Sequence, residues 1–420
     1  MATYYIDNIN GNDFFDGFSL EKAKKDYKTI DVKPGDIISF KRGSFYREPL
    51  NIVGGSMEAP VTYTAYGEGN KPVFCISFDV SDKAHWVAQG NNIWKCTTDI
   101  VGDVANFVFN ENDCSATLRW DKNELVAQGD FWDSKFGDHN AVSDNTREIL
   151  MYSEGNPTSI YSHIECVAHN MRVIAKQQNY IIIENIHFRN SGVHAIAGQG
   201  RGVTIRNCEF MNIGGCVWDK NQKIRFGNGV EFWTYGEDIL IENCYFKNIY
   251  DSCVTHQGPD EKTIPTRNFI CRNNIFDTYG MAAFEYRDKM PIASYFMNNI
   301  CLNAGCGFAM LGEELPRYSE IWPQPMGHHI FLWRIPGATK DGSLKIRNNI
   351  FGNAPVGAAI YSIISPEAEA QIKLNNNIYL KSEKVNGDLL NHFLNRDFND
   401  LHDFQKTTKK DQNSIYINRL

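Results

Sequence analysis

One short phrase returns seven times between residues 180 and 380, and it constrains the fold more than any other feature of the chain. Each copy consists of an apolar run, an asparagine and a second short apolar run. The seven asparagines are Asn185, Asn207, Asn243, Asn274, Asn299, Asn349 and Asn377, separated by 22, 36, 31, 25, 50 and 28 residues. Units that repeat at this period stack on one another, because a single unit cannot bury its apolar face alone. The phrase therefore predicts a solenoid.

The residues around each asparagine indicate that the stacked units are built from strands. Ile, Val, Phe and Cys flank it, and β-branched and aromatic residues favour strands. Asparagine readily adopts the left-handed conformation of a tight turn, and stacked amides can bond to one another. Helical repeats are the alternative, but strand alternation and the scarcity of Ala, Leu and Glu runs argue against them. We predict an all-β fold, a single-stranded right-handed parallel β-helix in which the longer gaps hold inserted loops.

The rest of the chain is expected to cover or interrupt this solenoid within a single domain of 420 residues. Residues 1–75 are predicted to form an N-terminal cap and the first coils. Residues 76–179 are less regular and predict an insertion that could form one wall of a cleft. After the regular coils of residues 180–380, residues 381–420 are predicted to form a C-terminal helical cap, because apolar residues recur at helical spacing over residues 388–406.

Composition and charge narrow the choice of partners. The net charge is −8 and no Lys/Arg cluster stands out, which argues against nucleic acid or a membrane surface as partner. No run of about 18 apolar residues predicts a membrane span, and no signal peptide is visible. Eleven cysteines, several at apolar positions of the repeat, fit a reducing compartment, so we expect a cytoplasmic protein. No Cys/His spacing predicts a metal or cofactor, and the sequence does not indicate the oligomeric state.

Strands that follow the asparagine turns carry a column of polar side chains. Aligned on their apolar positions, they comprise residues 193–196, 230–233, 254–257, 284–287 and 308–311. Because strand side chains alternate between faces, the alignment places His194, Glu231, Thr255, Glu285 and Ala309 on one outer face. Trp233, Gln257 and Arg287 follow on that face two positions later. The column predicts a polar, aromatic-edged groove that could hold an elongated sugar.

The carboxylates near this column suit hydrolysis of a glycosidic bond. Neighbouring coils lie ~4.8 Å apart, so column residues are about 5 Å apart on adjacent coils and roughly 9.6 Å apart across two. Retaining glycosidases need two carboxyl groups about 5–5.5 Å apart, and inverting ones about 6.5–9.5 Å. Glu231 and Glu285 lie two coils apart, while Asp251 is one coil from either. Each alone is as readily a solvated strand residue or a turn former, but the three together favour catalysis.

Several stretches of the chain resemble a known group of proteins. Residues 4–13 (YYIDNINGND), 33–50 (KPGDIISFKRGSFYREPL) and 59–73 (APVTYTAYGEGNKPV) resemble the opening of bacterial right-handed β-helix proteins that act on carbohydrates. The likeness is strongest to β-helix glycoside hydrolases and more distant to polysaccharide lyases. Phrases around Glu231, Asp251 and Glu285 are also similar, so the resemblance covers most of the chain. It implies the fold and a carbohydrate substrate, without specifying the sugar.

The resemblance also implies roles for the three carboxylates. Retaining β-helix glycosidases typically place an Asp nucleophile one coil before a Glu acid/base. Asp251 would then be the nucleophile and Glu285 the acid/base, with Glu231 tuning the pair or bonding a sugar hydroxyl. The candidate substrate-binding residues are His194, Trp233, His256, Gln257, Arg287, His328, His329 and Trp333. Packed histidines are an alternative for His194 and the favoured interpretation for His256. The long loop 312–340, which contains Trp322, is expected to fold over the groove.

We therefore predict a glycoside hydrolase that acts on short oligosaccharides. Exo action is expected because inserted loops would block the ends of the groove, and the resemblance implies retention. A polysaccharide lyase or uronate epimerase is an alternative, although the column offers carboxylates and one Arg rather than a Lys base and a calcium cluster. A non-catalytic carbohydrate-binding solenoid is the third class.

Overall fold

The computed structural model describes residues 1–112, 114–144, 146–168, 178–259, 261–307, 326–382 and 389–417. Over these residues the chain winds into a solenoid whose coils stack mainly through parallel strands. The stacked strands form one sheet of sixteen strands and one of ten. The predicted right-handed parallel β-helix is confirmed. None of the helices in the described residues is long and apolar enough to cross a membrane.

The bounds of the described elements follow sheet by sheet. The sixteen-stranded sheet contains Thr3–Ile6, Ile37–Lys41, Val61–Tyr66, Ile181–Glu184, Ile196–Arg206, Val230–Glu242, Ser252–Gln257, Arg267–Arg272, Ala282–Arg287, Ser294–Met297, His328–Trp333, Leu344–Arg347, Ile360–Ile363, Ile372–Asn375, Asn391–Phe393 and Arg396–Phe398. The ten-stranded sheet contains Phe45–Tyr46, Val73–Cys75, His187–Ser191, Glu209–Ile213, Tyr245–Ile249, Ile275–Tyr279, Ile300–Ala304, Ile350–Phe351, Ile378–Leu380 and Ile415–Ile417. The smaller sheets contain Phe78–Asp79, Val104–Phe109, Cys114–Ser115 and Ile164–Ala168; Trp86–Gly90, Ile93–Cys96, Thr117–Leu118, Asp130–Asp133 and Ile149–Tyr152; and the hairpin Cys216–Asp219 with Ile224–Phe226. The α-helices are Pro157–Ile160, Pro366–Glu369 and Leu401–Thr408, and the 3-10 helices are Leu20–Lys22, Tyr27–Thr29, Lys83–His85, Asn110–Asn112 and Lys122–Glu124.

Aromatic side chains stack inside the solenoid from coil to coil. Phe188, Phe210, Phe246 and Phe276 occupy equivalent positions of the ten-stranded sheet, with successive ring centroids 5.3, 4.5 and 5.0 Å apart. All four are buried, so each coil completes the core of its neighbours.

The asparagine turns differ from the prediction in four of the seven copies. Asn185, Asn207 and Asn243 adopt the left-handed conformation as expected. In the Asn-Asn copies, however, the first asparagine makes the turn, at Asn273, Asn298, Asn348 and Asn376. The second asparagine points into the solenoid, where earlier copies carry Ile186, Cys208 and Cys244. The turn and the amide stack, which we assigned to one residue, therefore belong to neighbouring residues.

The inward asparagines form a buried amide ladder. Oδ1 of Asn299 accepts hydrogen bonds from the backbone and side-chain nitrogens of Asn274, at 2.9 and 3.1 Å. Asn349 and Asn377 repeat this pattern on the next coils. The ladder ends on Asp411, whose Oδ1 accepts from Asn377 Nδ2 at 3.1 Å.

The C-terminal cap is part hairpin and part helix. The predicted cap helix is present at Leu401–Thr408. The earlier part of the segment expected to be helical instead forms the hairpin Asn391–Phe393 with Arg396–Phe398, which extends the large sheet. Leu394 and Asn395 both have positive φ and make the two-residue turn that favours such a hairpin.

The insertion forms two small sheets with their own core, which includes Phe107, Phe131 and Met151. Arg47 of the first coils holds it through a bidentate ion pair to the buried Glu165, at 2.9 and 2.7 Å. The insertion therefore packs against the side of the solenoid.

Candidate active site

One column of the large sheet contains both glutamates of the predicted groove. Its register partners on successive coils are Ala197, Glu231, Thr255, Glu285, Phe331 and Tyr361. The structure thus places Glu231 and Glu285 two coils apart with Thr255 between them. The strand that pairs with the Glu285 strand on the following coil is His328–Trp333. The predicted strand 308–311 and Trp322 lie outside the described residues.

The predicted alignment of His194 is wrong. Ile196 rather than Val193 pairs with Val230, so Ala197 occupies the column position next to Glu231. The cause is local, because Ser191 Oγ donates to the His194 carbonyl at 2.9 Å and closes a turn where a strand was predicted. His194 nevertheless lies near Glu231. Its Nδ1 accepts the backbone N–H of Asn228 at 3.1 Å, so the neutral ring carries its proton on Nε2, which is 3.6 Å from Glu231 Oε1.

The carboxylate of Glu231 is surrounded by donors. Asn228 Nδ2 donates to Glu231 Oε2 at 2.8 Å, and Gln257 Nε2 from the next coil donates to the same oxygen. Glu231 is 5% exposed, so both donors act in a site largely closed to water. Both bonds end on Oε2, and Oε1, on the His194 side, can accept from a ligand.

Glu285 is in a different environment. Ser252 Oγ donates to Oε2 and Trp333 Nε1 donates to Oε1, both at 2.8 Å, and Arg287 Nε lies 3.6 Å from Oε1. Burial raises the pKa of Glu285 and the charge of Asp251 adds to the rise, while Arg287 and the two donors oppose it. The carboxyl is only 1% exposed. These conditions favour the protonated form, which is what a general acid requires.

Asp251 lies one coil before Glu285, as its position in the chain predicted. Its carbonyl accepts the backbone N–H of Met281 at 3.0 Å, and the next residue, Ser252, pairs with Ala282. Asp251 is therefore outside the glutamate column, four positions before the residue opposite Glu285. The side chain of Glu285 reaches back to Ser252, which brings its carboxyl towards Asp251.

Several polar atoms beside the glutamates are buried without a hydrogen-bond partner in the described part of the chain. They include Thr255 Oγ1 and Gln257 Oε1, on one strand between the coils of Glu231 and Glu285. Buried polar atoms are nearly always satisfied, so such a pair at one site points to a hydrogen-bonding ligand. Trp233 lies at the strand position beside Gln257 and is 43% exposed, which leaves part of its indole available for stacking.

Arg287 and Trp333 belong to the wall of the site. The two residues pair across adjacent coils, and the guanidinium carbon lies 4.9 Å from the centre of the Trp333 ring. Trp333 packs with Phe331, Met281 and Met326 in an apolar cluster on the outer face. Its indole N–H donates to Glu285, and its ring packs within this cluster. Trp333 therefore positions the acid and does not present a free ring face to a substrate.

Three predicted substrate-binding histidines are buried, and two of them, His256 and His329, face the core of the solenoid. His256 packs against Tyr286, and burial lowers its pKa to about 3. His329 Nε2 donates to the Gly352 carbonyl at 3.1 Å, and its Nδ1 accepts from the Tyr279 hydroxyl. His328 stacks on Tyr361 with centroids 4.3 Å apart, and its Nδ1 accepts the Ala358 N–H. The packing contradicts substrate contact by His256 and His329, whereas His328 lies against the column residues Phe331 and Tyr361 and its substrate contact stays a prediction.

The sequence pattern does not single out Asn228 and Ser252 as residues of the site. Both lie in turn-forming dipeptides, Asn228-Gly229 and Asp251-Ser252, whose usual interpretation is local backbone geometry.

No group of three or more His, Cys, Asp or Glu residues placed to hold a metal occurs in the described ranges.

Comparison with known proteins agrees with the fold. No family model matches the chain, and no curated protein matches it in sequence. A structure of XylC in complex with xylose aligns with a TM-score of 0.56 and 12% identity, over 90% of this chain and 64% of that one. A GH136 lacto-N-biosidase from Eubacterium ramulus aligns with a TM-score of 0.51 and 14% identity, over 100% of this chain and 67% of that one. The chain thus spans about two thirds of the length of each. These neighbours are carbohydrate-active proteins with the right-handed β-helix fold, to which this chain is similar in architecture.

Proposed function

We propose that the chain is a glycoside hydrolase that removes sugars from short oligosaccharides, with Asp251 as nucleophile and Glu285 as acid/base. The observation that carries the proposal is the buried Glu285 carboxyl, whose pKa is raised by burial and by the charge of Asp251. A neutral carboxylic acid next to a carboxylate is the pairing that glycosidic bond hydrolysis needs.

The mechanism divides into two steps. The Asp251 carboxylate attacks the anomeric carbon while Glu285 gives its proton to the glycosidic oxygen, so the bond to the leaving sugar breaks as the bond to Asp251 forms. Glu285, now ionised, then takes a proton from water, which displaces Asp251 from the sugar and restores both groups. Arg287, close to Glu285 Oε1, stabilises the ionised form between the steps.

Substrate recognition would come from the polar atoms that surround the carboxyls. Thr255 Oγ1 can donate to a sugar hydroxyl, and Gln257 Oε1 can accept from one. Glu231 Oε1 and His194 Nε2–H lie 3.6 Å apart and offer an acceptor and a donor to the same hydroxyl. Trp233 would pack against the ring.

The packing beyond Glu285 supports exo action. The column continues there as Phe331 and Tyr361, whose ring centroids lie 6.0 Å apart, and Phe331 stacks on Trp333 at 5.4 Å. Phe331 is buried at the column position next to Glu285, so the polar face of the groove ends one coil beyond the acid and would hold only a short leaving group on that side. The eleven cysteines are free, which supports our proposal of a cytoplasmic location.

A panel of 4-nitrophenyl glycosides without added metal tests the reaction type. We expect hydrolysis of at least one member, a loss of about 10²–10⁴-fold in kcat for Glu285→Gln because the second step loses its base, and wild-type activity for the control Glu237→Gln on the same strand as Glu231. A 2-deoxy-2-fluoro glycoside of the cleaved sugar should leave a covalent adduct on Asp251, detectable by peptide mass spectrometry. No cleavage of any glycoside would refute the proposal, and a product with new ultraviolet absorbance from oligouronates would identify a lyase. Anomer analysis by NMR tests retention.

A further inference from the structure

A β-hairpin beside the site presents an exposed tryptophan. Trp218 lies in the hairpin Cys216–Asp219 with Ile224–Phe226 and is 61% exposed. The register shifts between Val217 and Asp219, so Trp218 occupies a β-bulge. Bulges redirect one side chain and are enriched next to active sites.

The base of this hairpin is anchored on both strands. Arg225 is buried and donates to the carbonyls of Gly215 and Ala105, at 2.7 and 2.9 Å. The backbone N–H of Val217 donates to Asp103 Oδ2 at 3.0 Å, and the Val217 carbonyl bonds to His139 Nε2 at 2.9 Å. Asp103, Ala105 and His139 all belong to the insertion. The insertion therefore holds the residue immediately before Trp218 from both sides, and the indole stands on a rigid support.

A short series of ring contacts connects Trp218 with the site. The Trp218 ring meets Phe226 edge-on at 5.3 Å, and Phe226 meets His194 edge-on at 5.6 Å. His194 Nε2 in turn lies 3.6 Å from Glu231 Oε1. Trp218 is thus separated from the Glu231 carboxylate by the rings of Phe226 and His194. An exposed, pre-positioned indole at that distance can stack on the second sugar of a chain whose first sugar, the one at the cleaved bond, is bound between the glutamates.

We infer that Trp218 forms a second sugar subsite, which binds the apolar face of a pyranose ring beyond the unit held at Glu231. The inference rests on the proposed function and adds a minimum length to the substrate. The preferred ligand spans at least two sugars on the Glu231 side of the cleaved bond. The insertion, through its hold on the hairpin, would then determine chain-length preference.

The test compares Trp218→Ala with Trp218→Tyr and with Phe14→Ala, an exposed aromatic of the N-terminal cap that is 99% exposed. On 4-nitrophenyl glycosides of the cleaved sugar, Trp218→Ala should lower kcat/KM about 3- to 10-fold for the disaccharide glycoside and leave the monosaccharide glycoside unchanged. Trp218→Tyr should recover part of the loss, and Phe14→Ala should change neither. Equal effects of Trp218→Ala on both substrates would overturn the subsite and leave the hydrolase proposal standing.

Binding supplies a readout that does not depend on catalysis. Saturation-transfer NMR with cellobiose, xylobiose and lactose should show contact of one ring with the wild-type protein that is lost in Trp218→Ala. If no aryl glycoside is cleaved but this contact is seen, the hydrolase proposal fails and the sugar subsite stands. If none of the three disaccharides contacts the wild-type protein, or contact is the same in Trp218→Ala, the subsite is refuted.

Discussion

Replacement of Asn299 by alanine should remove four hydrogen bonds from the centre of the amide ladder. The Asn299 side chain accepts from the backbone and side-chain nitrogens of Asn274, and donates to the Cys271 carbonyl at 3.1 Å and to Asn349 Oδ1 at 3.3 Å. At about 1 kcal/mol for each bond, the free energy of unfolding should fall by about 4 kcal/mol. The backbone N–H of Asn274 would also be left buried without its acceptor, which places the loss at or above that figure.

Asn298 provides a matched control, because it precedes Asn299 and makes the turn with φ of 56°. Its side chain is exposed, so Asn298→Ala should cost only the left-handed backbone preference, about 1 kcal/mol. Urea unfolding followed by tryptophan fluorescence and by circular dichroism would give both values, provided that the two transitions coincide. If Asn298→Ala destabilises the protein as much as Asn299→Ala, the division of roles between turn and ladder is wrong.

Two further predictions concern the protonation of Glu285. Because the charge of Arg287 lowers the pKa of Glu285, Arg287→Met should move the alkaline limb of the kcat/KM–pH profile to higher pH, and an unmoved limb would contradict the assignment of that limb to Glu285. The folded-state pKa of Glu285 lies above its ordinary value of 4.5, so the folded protein binds this proton more tightly and loses stability as pH rises from about that value through the folded-state pKa. Glu285→Gln should therefore melt at a higher temperature than wild type at pH 8 and at about the same temperature at pH 4. Differential scanning fluorimetry across this range would show a constant difference if the reasoning is wrong.

The fold could be predicted from the sequence because the repeat consists of strand-forming residues at a period that suits the coils of a β-helix. The predictions that proved wrong concern which residue occupies a given position within a coil. In an Asn-Asn pair the sequence offers two candidates for one turn, and only packing decides that Asn273 turns outward while Asn274 enters the core. At the C-terminal end, Leu390, Phe393, Leu401 and Phe404 are buried by a hairpin and a helix together. Their spacing alone fits a single helix equally well.

The part of the site that could be predicted is the column of side chains on the outer face of the large sheet. Glu231 and Glu285 share one face because strand alternation and coil stacking are general rules, and no remote contact is needed to apply them. The histidines show the limit of that approach. A histidine on a strand is assigned to the groove or the core by a single register step. His329 faces the core, where it bonds to Tyr279, while the adjacent His328 packs against Phe331 and Tyr361 of the column.

The two glutamates show how a solenoid can give different surroundings to equal residues in one column. Each is buried and each receives two hydrogen bonds from neighbouring side chains. What differs is the identity of the remaining neighbours. His194 Nε2 lies 3.6 Å from Glu231, whereas Glu285 is buried near Arg287, whose charge lowers its pKa, and Asp251, whose charge raises it. Because each residue's surroundings come from adjacent coils, a change on one coil can alter the protonation of a carboxyl on the next without moving it. The proposed acid, Glu285, and the proposed sugar ligand, Glu231, are thus distinguished by their neighbours in the stack.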